Sequence, residues 1–150
     1  MISFDFFSPE QKITLPEWQS KAIQVTVKRD DMIHPFVSGN KWRKLKFNIQ
    51  KAISKQKTHL VTFGGAWSNH ILATACAGAS FEFQTTAFLR ADDGINNPVI
   101  TMCRLFGMKL IFVDRESYKN KQKLFENNFS NDPKAYFIDE GGHGDLGAQG

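Results

Sequence analysis

The sequence predicts an α/β protein built on a parallel sheet, and three observations carry that reading. From residue 40 onward, short runs rich in Val, Ile, Phe and Thr alternate with longer segments of helical periodicity. The links between them are short, as when strands lie side by side and helices cross back over the sheet. Apolar residues are 41% and charged residues 23% of the 150, close to ordinary globular usage, so a packed core is expected rather than disorder.

After a polar start dotted with Phe, AIQVTVKRDD alternates Ile23, Val25 and Val27 with polar residues, the period-two pattern of a strand. His34-Pro35 and Ser38-Gly39-Asn40 then mark a loop. A helix is expected from about Asn40, capped by that residue. Trp42, Leu45, Ile49 and Ala52 or Ile53 recur at spacings of three and four, which buries one stripe and turns the lysines outward. THLVTF is a β-rich run stopped by Gly64-Gly65. SNHILATACAGA follows as a helix with a small-residue face, and FQTTAFLRADD as a strand. NNPVITMCRLFGM predicts a helix with Pro98 in its first turn, where no N–H is needed, and Gly107 near its end. KLIFVD is a strand, YKNKQKLFENNFS a charged helix closed by Asn131-Asp132-Pro133, KAYFID a strand, and EGGHGDLGAQG a glycine-rich loop. In such sheets ligands bind at the carboxyl ends of the strands, so loops 64–70, 91–97, 114–118 and 139–150 are the candidates.

Several classes are disfavoured. No apolar run approaches the roughly 20 residues that span a bilayer. MISFDFFSPE has no basic region before an apolar stretch, so no secretory signal is expected. Cys76 and Cys103 stand apart without a CxxC, as reduced thiols of a cytoplasmic protein do. His34, His59, His70 and His143 form no ligand pair one helical turn apart, so no metal is expected. The net charge of +4 is concentrated between Lys41 and Lys57, where a basic face could track a phosphate backbone. The apolar stripe beneath makes it a solvated helix face instead.

Three segments could carry chemistry. In SGNKWRKL, Lys41 falls in the first turn of a helix, where the positive end of the dipole disfavours its ammonium form. With desolvation, such an amine becomes a nucleophile towards an aldehyde, as a Schiff-base lysine must be. The alternative is a surface lysine in a basic helix. In FGGAWSNH, two glycines allow close backbone approach, and free N–H groups at the following helix start can hold a carboxylate, with Ser68 and Asn69 adding side-chain donors. Ser68 can equally be the helix cap. A serine-hydrolase elbow is excluded, because Ala66 and His70 stand where it needs glycine. In the last segment, residues 142–147 match GxGxxG after a strand, a weak signal without the following helix and acidic residue of a dinucleotide site.

KRDDMIHPFVSGNKWRKLKF, TFGGAWSNHILATA and FIDEGGHGDLGAQG, in that order, resemble the pyridoxal-phosphate-dependent 1-aminocyclopropane-1-carboxylate deaminase and D-cysteine desulfhydrase family. The resemblance implies the tryptophan synthase β-like fold of type II pyridoxal-phosphate enzymes. It implies a lyase-type conversion of a small amino acid to a 2-oxo acid and ammonia, with pyridoxal 5'-phosphate as cofactor. Lys41 would carry the cofactor and move protons at the substrate, and Asn40 would set the loop around it. Asn69 would hydrogen-bond the ring hydroxyl of the cofactor. Ser68, Asn69 and His70 would receive the substrate carboxylate. Asp139 and His143 depart from the family's usual Pro and Ser or Thr. Family members run to roughly twice this length, as two-domain chains do. The chain is therefore expected to be an amino-terminal half. Residues 1–40 would start the larger cofactor domain, and residues 41–150 would be mostly the smaller α/β domain. The full-length protein would be a homodimer, with no nucleic-acid or membrane partner. The alternatives are a non-catalytic α/β domain that binds a partner, or nucleic acid, through the Lys41–Lys57 face, and a nucleotide-dependent oxidoreductase using residues 142–147.

Overall fold

A computed structural model describes residues 7–150. Residues 1–6, which belong to the Phe-dotted start and to the segment read as lacking a secretory signal, lie outside the described residues. The chain opens with β1 (Glu10–Ile13), α1 (Pro16–Gln19) and β2 (Val25–Lys28). β1 and β2 pair antiparallel as a two-stranded sheet of their own, from Glu10 opposite Lys28 to Ile13 opposite Val25. The strand expected from the Ile23, Val25, Val27 alternation is therefore present, but its pattern does not mark a core face. Ile23 and Val27 stay exposed, because nothing within the described residues covers this small sheet.

A turn at Asp30–Met32 leads into α2 (Asn40–Ser54). Leu45, Ile49 and Ala52 of the expected stripe are buried and Ile53 is exposed, so Ala52 rather than Ile53 completes it. Then follow β3 (His59–Gly65), α3 (Asn69–Ser80), β4 (Gln84–Arg90), α4 (Pro98–Leu105), β5 (Lys109–Val113), α5 (Arg115–Tyr118), α6 (Lys121–Phe129) and β6 (Ala135–Phe137). The final glycine-rich segment is not an open loop. It contains a 3-10 turn at Glu140–Gly142 and a short helix, α7 (Asp145–Ala148).

The four long-range strands form one parallel sheet in the order β5-β4-β3-β6. β3, β4 and β5 progress in one direction, whereas β6 returns to the other side of β3. The order reverses beside β3, and the crevice outside its carboxyl end is where such sheets bind ligands. Val61 to Phe63 and Thr85 to Leu89 are buried on both faces of their strands, as expected of strands covered by helices on both sides. Leu60 packs with α2 and α3 residues such as Leu45, Ala73 and Ala77. Val61, Phe63 and Phe88 pack on the opposite face with Tyr118, Phe125 and Phe129.

Candidate active site

The site is built where α2 and α3 begin. At the start of α2, Gly39 takes a backbone conformation with φ at 57° that L side chains rarely adopt. It, and not Asn40, is the cap residue, and no side chain caps this helix. Asn40 is instead the first helical residue. The loop before the helix closes on Asp30. Its carbonyl accepts from the Gly39 N–H at 2.9 Å. Its carboxylate accepts from Arg43 Nε at 3.0 Å and Nη2 at 3.1 Å, and from the Ser8 hydroxyl at 2.5 Å. The Arg43 and Ser8 hydrogen bonds push the Asp30 carboxyl down to about 2. Lys41 sits between the two anchored positions, 39 and 43.

At the start of α3, the strand ends in Gly64-Gly65 for a steric reason. A Cβ on Gly64 would lie 2.7 Å from Ile71 Cδ1 and 2.9 Å from Ser68 Oγ. Ser68 is the cap residue, its hydroxyl accepting from the Ile71 N–H at 3.4 Å. The loop is braced from α4. Asn97 accepts from the Ile100 N–H at 2.9 Å and donates from Nδ2 to the Ala66 carbonyl at 3.0 Å.

Between the two helix starts lies an open cleft of about 330 Å³. Asn40, Lys41 and Asn69 line it, with Asp31, Phe36 and Leu72. Lys41 is half-buried, and among the described residues its amine has no hydrogen-bond or ion-pair partner. Burial first, and the charge of Lys44 second, hold its ammonium below the usual lysine range. Ser68 flanks the cleft as a cap.

The His70 ring is not brought into the cleft. It is 1% exposed, and its Nε2 lies 2.8 Å from the Thr62 hydroxyl. That hydroxyl has one proton and gives it to the Ile138 carbonyl at 2.9 Å, so it can only accept from Nε2. The imidazole is thereby assigned as the neutral tautomer with its proton on Nε2. Burial, then Lys41 and Lys44, push it down to about 3. The neutral ring is bonded into the core through Nε2 and does not line the cleft, and the backbone of residue 70 belongs to the helix start.

The last segment packs on α2. A Cβ on Gly147 would stand 1.8 Å from the Gly142 carbonyl oxygen, and one on Gly142 would stand 2.9 Å from Lys44 Cβ. These two glycines of the 142–147 match serve close packing, Gly147 on the backbone of Gly142 and Gly142 on the stem of Lys44. The basic face is also less free than its sequence suggests: Arg43 is paired with Asp30, and Lys57 donates to the Pro133 carbonyl at 2.6 Å. Among the described residues no cluster of His, Cys, Asp or Glu could hold a metal, and no helix is long and apolar enough to cross a membrane. Sequence reasoning missed Asp31, Phe36 and Leu72, and the Asp30–Arg43 pair. The signal available was position alone, since all but Leu72 fall within the stretch that leads to and follows Lys41.

A parallel α/β sheet that presents a desolvated, unpaired lysine across a cleft from a helix start has the parts of a carbonyl-cofactor enzyme. The chain belongs to the pyridoxal-phosphate-dependent enzyme family, whose profile matches residues 8–150. It is 30% identical, over 85% of its length and 35% of the relative's, to the bifunctional mitochondrial D-cysteine desulfhydrase/1-aminocyclopropane-1-carboxylate deaminase of Arabidopsis thaliana. It is 34% identical, over 84% of its length and 42% of the relative's, to a Thermotoga maritima protein provisionally named 1-aminocyclopropane-1-carboxylate deaminase. The crystal structure of an ACC deaminase homologue superposes with a TM-score of 0.76 at 26% identity, covering 96% of this chain and 45% of that one. A hydrogen sulfide-producing enzyme of Fusobacterium nucleatum shares the fold at a TM-score of 0.65 and 17% identity, over 89% of this chain and 43% of that one. The fold is that of the type II pyridoxal-phosphate enzymes. The chain spans less than half the length of the relatives it matches.

Proposed function

We propose that this chain carries the lysine-bearing part of the active site of a pyridoxal-phosphate-dependent deaminase or desulfhydrase. The substrate would be a small amino acid, such as 1-aminocyclopropane-1-carboxylate or D-cysteine, and the products would include a 2-oxo acid and ammonia. One observation carries the reading: Lys41 is desolvated, without a partner among the described residues, and shares a cleft with Asn69 at the start of α3.

The residues fit the cofactor on chemical grounds. An aldehyde is taken by a neutral amine, and burial beside Lys44 biases Lys41 towards that form. When bound, pyridoxal phosphate supplies the electron sink. Lys41 would hold the cofactor and carry a proton on Nζ. The Asn69 amide would hydrogen-bond the cofactor's ring hydroxyl, and Asn40, the first residue of α2, would help set the loop around the lysine. Ser68, Asn69 and the backbone amides at the start of α3 receive the substrate carboxylate, with the positive end of the helix behind them. Residues 1–40 belong to the larger domain in this reading, in keeping with a two-stranded sheet separate from the parallel one. The free, buried Cys76 and Cys103 suit a reducing compartment such as the cytoplasm.

The test is to incubate the full-length protein with pyridoxal phosphate, reduce with borohydride and map the labelled peptide. The label is expected on Lys41, and a label elsewhere rejects the assignment. Turnover of the two named amino acids, followed as 2-oxo acid released, then decides between deaminase and desulfhydrase.

A further inference from the structure

The cleft between the two helix starts has two kinds of wall. Ser38, Asn40, Lys41 and Asn69 bring polar groups to it, whereas Pro35, Phe36 and Leu72 form an apolar side. Asp31 also lines the cleft, but its carboxylate is held by Arg29, at 2.8 Å from Nε and 2.7 Å from Nη2, so its charge is already answered.

Phe36 is 36% exposed, yet its ring is held in place. Its backbone N–H and that of Val37 both donate to His34 Nδ1, at 3.1 and 3.2 Å, which ties the bend before α2 together. Val37 is buried in the core with Leu45 and Ile49, so the residue after Phe36 is anchored. The Phe36 ring packs edge-on against Phe106, with centroids 5.2 Å apart and planes at 72°. Phe106 is the cap residue at the end of α4, the helix whose Asn97 braces the loop before α3. One helix thus supports both the aromatic wall and the helix start across from Lys41.

An amino acid brings a carboxylate, an amino group and a side chain. With Lys41 as the cofactor lysine, on which this inference rests, the amino group goes to the cofactor carbon at Lys41 and the carboxylate to the start of α3. The side chain is left with the apolar wall. We propose that Phe36 is the specificity-determining residue for the substrate side chain: its fixed ring takes a small apolar or sulfur-bearing group and disfavours a hydroxyl or a charge. A methylene or a thiol gains contact with the ring, and sulfur does so favourably. A hydroxyl in the same place gives up water without a partner, because the side chains of Pro35, Phe36 and Leu72 offer no donor or acceptor.

The experiment uses the full-length protein loaded with pyridoxal phosphate. Calorimetry gives its dissociation constants for D-2-aminobutyrate and D-serine, two amino acids of one size that differ by a methyl against a hydroxyl. The wild-type protein is expected to bind D-2-aminobutyrate about tenfold more tightly. Phe36→Ala should cut that ratio to about twofold, and Phe36→Gln, which fills more of the space with a polar tip, should do the same. Phe36→Leu keeps an apolar side chain at the cleft and should retain most of the ratio. A ring with only a structural role would weaken both ligands alike, so an unchanged ratio in Phe36→Ala or Phe36→Gln overturns the proposal. A wild-type protein that binds neither amino acid, or favours D-serine, overturns it as well. Borohydride labelling separates this failure from failure of the cofactor assignment. Label on Lys41 with an unchanged ratio keeps the assignment and removes the wall, whereas label elsewhere removes both.

Discussion

On one face of the parallel sheet Phe63, Phe88, Phe125, Phe129 and Phe137 pack ring against ring, with Phe63 and Phe88 stacked at 5.0 Å. On the other face α3 meets the strands through Ala73, Ala75, Ala77 and Gly78. A Cβ on Gly78 would come 2.1 Å from Thr85 Cγ2, so the helix lies as close to the sheet as glycine permits. The aromatic face buries large apolar area and contributes no residue to the cleft. The small-residue face buries less per residue but draws a helix start down to the end of β3. The difference shows how one sheet separates stability from chemistry: bulk on one side, close backbone approach on the other.

That separation can be broken in graded steps. The largest effect is expected from Phe63→Ala, which empties the centre of the aromatic face. It should cost about 3–5 kcal/mol in urea unfolding, while borohydride labelling of Lys41 in the folded fraction stays at the wild-type level. Labelling that fell in proportion to stability would show that the faces are not independent. Gly64→Ala attacks the close-approach side, driving a methyl into Ile71 and Ser68. A loss of about 1–3 kcal/mol is expected, this time with weaker labelling of Lys41, because the start of α3 must move.

The third step is pH. His70 is pushed down to about 3 in the folded chain, while the unfolded chain keeps an ordinary histidine. Between those values the unfolded state binds one more proton, so stability falls as pH falls from about 6.5 towards 3, with a slope of roughly 1.4 kcal/mol per pH unit. His70→Gln should flatten that slope in urea titrations between pH 6 and pH 4 (on the order of two units). Asp30 adds a separate limb. Its folded carboxyl is pushed down to about 2, so its contribution is fully present above the unfolded value and is lost only as pH falls towards 2. Asp30→Asn should remove that lower limb alone. The smallest effect is expected from Ser68→Ala, about 1 kcal/mol for a lost cap. If Ser68 also meets substrate, KM should rise beyond what the melting temperature explains.

The order and type of the main elements were legible because they follow from contacts close in sequence. Short β-rich runs give β3, β4 and β5, period two gives β2, and spacings of three and four give α2 and its buried stripe. Pro98 and Gly107 bracket α4 for local reasons as well, since Gly107 has φ at 79°. β1 and α1 were not legible. Glu10–Ile13 carries little apolar patterning and is a strand only because β2 pairs with it. The terminal segment read as a loop because its glycines are turn formers, but packing against α2 folds it into a turn and a short helix. Asn40 looked like a cap because its side chain suits that position, yet the left-handed backbone at Gly39 takes the place one residue earlier.

For the site, the sequence alone determined that a lysine would stand in the first turn of a helix and that a glycine pair would end a strand before Ser68 and Asn69. Both are local patterns of a few residues. Tertiary structure decided that these two helix starts share one cleft, that Arg43 reaches back 13 residues to Asp30, and that His70 turns from the cleft to Thr62 and, through it, to Ile138. Those outcomes depend on burial and on hydrogen bonds between segments far apart in the chain. A buried polar group must find a partner wherever the fold brings one, and no local periodicity encodes which partner that is.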